Sequence, residues 1–212
     1  MARPLARQES ETAVVETDGR RLRTEESRRR VVTALLQCVR EGEFDPSAEA
    51  VALRAGVGLR TVFRLFKDKE GLFQQMSEAV HNQLAVLANA PLRGATWRER
   101  LEEVMKRRFT GFEQVMPYRQ AAHIHAHYSA VVKANNEVTQ LALRQVLAAV
   151  LAPEIVADRV SFEALELALH IDTWIRLRID QNLRPAQARA VVVALAEAVL
   201  RRGGYMSADE SL

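Results

Sequence analysis

From Ser27 onward, apolar residues recur at helical intervals. Val31, Leu35, Cys38 and Val39 fall on one face, Val32 and Leu36 flank it, and Gly42 supplies a stop. Asp45-Pro46-Ser47 then makes a turn. Ser47 is placed to cap a short helix over Ala48–Ala55, which Gly56 closes. A second short helix is predicted over Leu59–Phe66. Asp68 is placed to cap a third, running toward Asn89 and Pro91. Thr96 and Glu99 form a capping box, and the helix they open is predicted to end near Met116, because Pro117 has no amide donor and disfavours helix in the residue before it. One or two helices fill Tyr118–Leu151 and end before Pro153. Ser161 is placed to cap a long helix to about Asp180, and a last helix runs from Ala186 to Arg202, stopped by Gly203 and Gly204. No stretch alternates apolar and polar positions as a strand does, and no internal repeat occurs. The predicted fold class is all-α.

Residues 1–26 lack this periodicity and read as a flexible basic arm; 27–75 form a compact helical module, 76–206 a larger helical domain and 207–212 a tail. The chain has 212 residues, 48% of them apolar, enough for a substantial core. Its net charge of +3 does not by itself establish a nucleic-acid partner, since the position of charge decides more than its sum. Cys38 is the single cysteine, so no intrachain disulfide forms, and its apolar helical setting suits a buried small hydrophobe. Neither a signal-peptide pattern nor an apolar run of membrane-spanning length is present, and a cytoplasmic location with no membrane partner follows by elimination.

Candidate chemistry concentrates in residues 47–69. Ala52, Gly56 and Val62 have the spacing that two steeply crossing helices need: a small residue at the contact, a glycine for the sharp turn, and an apolar residue packing the second helix onto the first. That spacing alone fits a helix–turn–helix and an ordinary helical hairpin equally well. The charges add weight to the first. Arg60 and Arg64 project from one face, where arginine can pair bidentately with guanine. Lys67 and Lys69 lie at the next helix N-terminus, which already favours an anion. Arg28, Arg29 and Arg30 open the first helix and are candidates for phosphate contact, although a solvated basic face explains them equally. Gly19–Arg23 in the arm is a candidate for a flanking minor groove.

"AEAVALRAGVGLRTVFRLFKDKEGLF", together with the preceding "SRRRVVTALLQCVREGEF", resembles the DNA-binding signature of the tetracycline-repressor-like (TetR) family over about fifty consecutive residues. The resemblance implies an N-terminal three-helix DNA-binding module, a helical ligand-binding and dimerisation domain, and no enzyme activity. It places Gly58 where the family usually has Ser or Thr opening the recognition helix, and Leu59, Arg60 and Thr61 at the end that reads bases and touches backbone. Phe63 stands for a frequent tyrosine and lacks its phosphate-binding hydroxyl. Leu65 stands for a frequent histidine, Phe66 matches the aromatic that closes the small core, and Lys69 matches a phosphate-binding lysine. With Ser47, Arg28, Arg29, Arg64 and Lys67 these are the candidate DNA-binding residues.

The resemblance further implies a homodimer on a near-palindromic double-stranded operator, with a small-molecule effector and, most often in this family, repression. Ala190, Ala194 and Ala198 recur every four residues beside Val191 and Leu195, and with Leu165, Ala168, Trp174 and Ile175 they form the candidate dimer interface. Met105, Phe109, Phe112 and Met116 make an apolar stripe that suits either core or effector pocket, and Trp174, His123 and His127 are added as candidate pocket residues. His123 and His127 share a helical face and form the alternative, a metal-responsive sensor; a third ligand is not indicated, and no metal or cofactor is assigned. Gly-x-Ser-x-Gly, HExxH and phosphate-cradling glycine loops do not occur.

Overall fold

A computed structural model describes the backbone of residues 5–88, 90–126 and 130–212, with side chains outside 5–18, 83–88, 125–126, 130–132 and 135–136. The described residues contain helices and no strand. In chain order the helices are α1 (Leu5–Arg40), α2 (Ala48–Ala55), α3 (Leu59–Phe66), α4 (Lys69–Ala88), α5 (Trp97–Ala126), α6 (Ala130–Val150), α7 (Pro153–Ala157), α8 (Arg159–Ala168), α9 (Ile171–Ile175) and α10 (Pro185–Arg202). A π-helical turn over Arg176–Asp180 continues α9.

The chain divides into two units, one of residues 1–79 with 120–132, the other of 80–119 with 133–212. In the first, α1 packs on α2 and α3. Val31, Leu35, Cys38 and Val39 of α1, Val51, Ala52 and Ala55 of α2, and Val62, Leu65 and Phe66 of α3 are all buried, as are Leu72, Phe73 and Met76 at the start of α4. Burial holds the Cys38 thiol above its ordinary pKa, as suits a side chain that serves packing. In the second unit α8 packs on α10. Ala188, Val192, Ala196 and Leu200 make up the buried face of α10, and Leu101, Val104 and Met105 of α5 and Leu147 of α6 are also buried.

The structure differs from the sequence reading at three places. Helix α1 spans Leu5–Arg40, so the described part of the segment read as an arm is helical. Its Ala, Leu, Arg, Gln and Glu residues have high helix propensity, and Gly19 is the strongest opponent in residues 5–26. Helix α5 does not end at Met116 but passes through Pro117 to Ala126. A proline inside a helix costs about 3 kcal/mol, and burial of Val115, Tyr118, Ala121 and Ala122 around it offsets that.

Third, Ser161 is not a cap. Asp158 caps α8, accepting from the amides of Val160 (3.1 Å) and Ser161 (3.3 Å), and the Ser161 hydroxyl donates to it at 2.6 Å. Nor is there one helix to Asp180. The chain breaks at Leu169, and His170 caps α9 by accepting from the Asp172 amide at 3.2 Å. Arg108, 7% exposed, explains the break: it donates to the carbonyls of Leu169 (3.0 Å) and Leu143 (2.6 Å). Burial pulls its pKa down to about 10, so the guanidinium stays charged at neutral pH.

Candidate nucleic-acid interface

Three devices hold α3 in place. Ser47 caps α2, its hydroxyl accepting from the Ala50 amide at 3.1 Å. Gly56 closes α2 in the left-handed region at φ 62° and ψ 40°, a conformation glycine adopts without a Cβ clash, and the Val57 amide reaches back to the Ala52 carbonyl at 3.1 Å. Arg30 completes the turn, donating to the carbonyls of Ala55 (2.6 Å) and Gly56 (2.9 Å). Gly58 then opens α3 with no side-chain cap, which leaves the first amides of the helix free of a side-chain partner.

Helix α3 is sharply two-faced. Val62, Leu65 and Phe66 are buried, while Arg60, Phe63 and Arg64 are exposed. Among the described residues no ion pair or hydrogen bond engages the guanidinium of Arg60 or Arg64. Leu59 and Thr61 are half-buried on the flanks. Lys67 closes the helix at φ 62° and ψ −58°, and the Asp68 amide meets the Phe66 carbonyl at 2.7 Å, a γ-turn that is rare for a residue with a side chain. Asp68 caps α4 through the Gly71 amide at 2.8 Å. At Gly71 a Cβ would lie 2.4 Å from the Phe66 carbonyl oxygen, so a side chain there would press on the end of α3.

Several predicted contacts are committed inside the protein. Arg28 donates to the Leu65 carbonyl at 3.1 Å, and its guanidinium lies 5.1 Å from the Phe66 ring centre. It braces the C-terminal end of α3 with one of its guanidinium nitrogens. Arg29 pairs with Glu26 at 2.5 Å. Lys69 pairs with Asp45 at 2.5 Å and lies 6.0 Å from the Phe73 ring centre. By contrast Arg20, Arg21, Arg23 and Lys67 are exposed, and no described residue pairs with their charged groups. The roles of Arg28 and Arg30 as internal donors have no signature in the sequence, since their targets are main-chain carbonyls brought close only by folding.

In the second unit, the predicted dimer residues separate into two groups. Ala190, Ala194, Leu195 and Ala198 are exposed on α10, with Val191 and Ile175 half-buried. Leu165, Ala168 and Trp174 are buried within the unit and belong to its core, which corrects their assignment to an interface. The outward apolar residues of α8 are instead Val160 and Leu167, respectively 64% and 67% exposed. One helical step separates the two faces, and periodicity alone does not say which face turns inward.

Of the predicted pocket residues, Met105, Phe109, Phe112 and Trp174 are buried and Met116 is half-buried. Phe109 stacks on Trp174 with ring centres 5.1 Å apart, and Phe112 lies 6.4 Å from it. Glu113 accepts from the Trp174 indole at 2.8 Å and from Arg178 at 2.7 Å, and chiefly the Arg178 hydrogen bond holds its carboxyl below the usual range. His123 is exposed and belongs to the first unit, and His127 lies outside the described residues. Among the described residues no group of three or more His, Cys, Asp or Glu is arranged around a metal position. No described helix is long and apolar enough to cross a membrane.

No protein-family model matches the sequence, and no curated protein does so closely. Solved structures do match. A proposed TetR-family transcriptional regulator from Rhodococcus sp. aligns with a TM-score of 0.63 at 15% identity, over 82% of this chain and 99% of that one. A transcriptional regulator from Rhodococcus sp. Rha1 gives 0.63 at 18% identity, over 82% and 96%. A TetR family transcription regulator from Marinobacter aquaeolei VT8 gives 0.54 at 18% identity, over 82% and 97%. The chain shares the fold of these proteins.

Proposed function

We propose that this chain is a sequence-specific DNA-binding transcriptional regulator that works as a homodimer and responds to a small molecule. The observation that carries the reading is α3, which is seated by Val62, Leu65 and Phe66 and leaves Arg60 and Arg64 exposed, with no partner among the described residues. A bidentate arginine–guanine pair contributes about 1–3 kcal/mol of discrimination, and a helix of this kind fits the major groove. Ser47, Gly58, Leu59, Thr61, Phe63, Lys67 and Lys69 surround that face in sequence. Lys69 reaches phosphate once its solvent-exposed pair with Asp45 gives way, and such pairs are weak. Arg20, Arg21 and Arg23 extend the basic surface along α1. The three structural neighbours, described as transcriptional regulators, support the same reading.

One recognition helix spans only a few base pairs, so a two-fold pair on half-sites about 34 Å apart gives useful selectivity. The surface proposed for pairing is the outward face of α10, Ala190, Ala194, Leu195 and Ala198, with Val160 and Leu167 of α8. Its small residues permit close helix approach. The effector is proposed to act at the Phe109–Phe112–Trp174 cluster, with Met105 and Met116 on the same stripe and the Glu113–Arg178 pair as its polar edge. Helix α4 runs unbroken from one unit into the other and is the proposed lever. Repression follows if the effector favours a state whose recognition helices no longer match successive grooves.

Selection of bound sequences from random duplexes tests the reading. The native protein enriches paired half-sites, and Arg60→Ala binds the winning duplex at least tenfold more weakly with relaxed choice at one position per half-site. Unchanged choice in Arg60→Ala removes Arg60 from the readout, and a monomer in sedimentation at micromolar concentration removes the dimer.

A further inference from the structure

Phe63 is not accounted for by packing or by charge. It is a large aromatic, 47% exposed, between two arginines that have no partner among the described residues. Its ring carries no hydroxyl and no N–H, so it forms no conventional hydrogen bond with a phosphate or a base edge. What it offers is dry contact. Along the edges of base pairs in the major groove, the apolar feature is the C5 methyl of thymine.

The placement of Phe63 on α3 suits that target. At 3.6 residues per turn it lies about 60° around the axis from Arg60, on the flank of the exposed face and away from Val62 and Leu65. It lies about 4.5 Å along the axis from Arg60, and Arg64 about 6 Å. Neighbouring base pairs are about 3.4 Å apart. A helix lying along the groove with Arg60 on one base pair therefore brings Phe63 to the next, with Arg64 beyond it. Leu59, one helical turn before Phe63, widens the same apolar flank.

We infer that Phe63 reads a thymine methyl in the base pair adjoining a guanine held by Arg60. This rests on the DNA-binding reading above and adds the chemical character of the half-site: a guanine beside a thymine, on either strand. Contact with a deoxyribose, the other apolar target within reach, is blind to sequence and indifferent to the methyl group.

Deoxyuridine separates the two, because it pairs as thymine does and lacks only the methyl. Random duplexes are first selected with the native full-length protein, and each thymine of the winning duplex is then replaced singly by deoxyuridine. At one position per half-site the native protein is expected to bind about fourfold more weakly, the ratio for burying one methyl group. Phe63→Ala, and Phe63→Gln as a polar variant of similar reach, bind the two duplexes equally while keeping native helix content and melting temperature, as a half-exposed site permits. The inference is overturned if no replacement weakens native binding, or if the penalty survives in both variants. Equal weakening of both duplexes by Phe63→Ala, with no native penalty, assigns the ring to the sugar and overturns it as well. Failure to enrich any duplex is a separate result: it removes the DNA-binding reading itself, and the inference with it.

Discussion

Gly56→Ala addresses the turn that aims α3. Two costs are visible in the structure. The backbone at φ 62° is left-handed, and placing a Cβ residue there costs about 1–2 kcal/mol. The new Cβ would also lie 2.6 Å from Nη2 of Arg30, the atom that donates to the Ala55 and Gly56 carbonyls at 2.6 and 2.9 Å. The guanidinium sits at the end of a flexible side chain and will swing away. The cost is then loss of two charge-assisted hydrogen bonds, about 1 kcal/mol after allowance for partial solvent exposure. The substitution should destabilise the native chain by about 2–3 kcal/mol, measured by urea unfolding followed by circular dichroism. A double-mutant cycle separates the terms. In an Arg30→Ala background the clash and the hydrogen bonds are both absent, so Gly56→Ala should cost only the backbone term, and the coupling should be about 1 kcal/mol. A single-mutant cost below about 0.5 kcal/mol, or additive costs in the cycle, would refute the account of the turn.

Replacing Arg20, Arg21 and Arg23 together by alanine should reduce the salt slope of duplex binding by about 2–3, leaving base preference unchanged; an unaltered slope in filter binding removes these residues from the interface. Glu113→Gln breaks the pair with Arg178 and weakens the acceptor for Trp174; a stability loss of about 1–2 kcal/mol with a changed tryptophan emission spectrum is expected, and native unfolding with native emission argues against it. The Glu210 carboxyl is held down to about 2 by its hydrogen bond with Arg98 and by the Ser207 amide. A depressed folded pKa gives stabilisation that is present in full above the unfolded value and is lost as pH falls through the folded one. Between pH 5 and about 2 the melting temperature of Glu210→Gln should therefore fall less steeply than that of the native chain; parallel curves exclude the anchor.

The contrast between what could and could not be read from the residues is clearest within single helices. Both short helices of the N-terminal unit were legible with their bounds, because cap, glycine turn and apolar spacing are local signals. The long helix through Pro117 was not, since its continuation depends on burial of residues such as Tyr118 and Ala121 by other parts of the chain. The break at Leu169 was hidden for the same reason: the guanidinium that takes its carbonyl comes from position 108.

By itself the sequence determined that the chain is helical and where α2 and α3 begin and end. It also set Arg60 and Arg64 on the side of α3 opposite Val62, Leu65 and Phe66, because a 3.6-residue period arranges near neighbours into faces without outside help. Only the tertiary structure decided which of the described cations stay in solvent. Arg28 and Arg30 are drawn into main-chain acceptors of other helices while Arg60 and Arg64 stay in solvent, and adjacent arginines are chemically identical until folding brings a carbonyl within reach of one and not another. It likewise decided that Leu165 and Ala168 turn inward and Val160 and Leu167 outward, since the inward side of a helix is defined by the neighbour against which it packs.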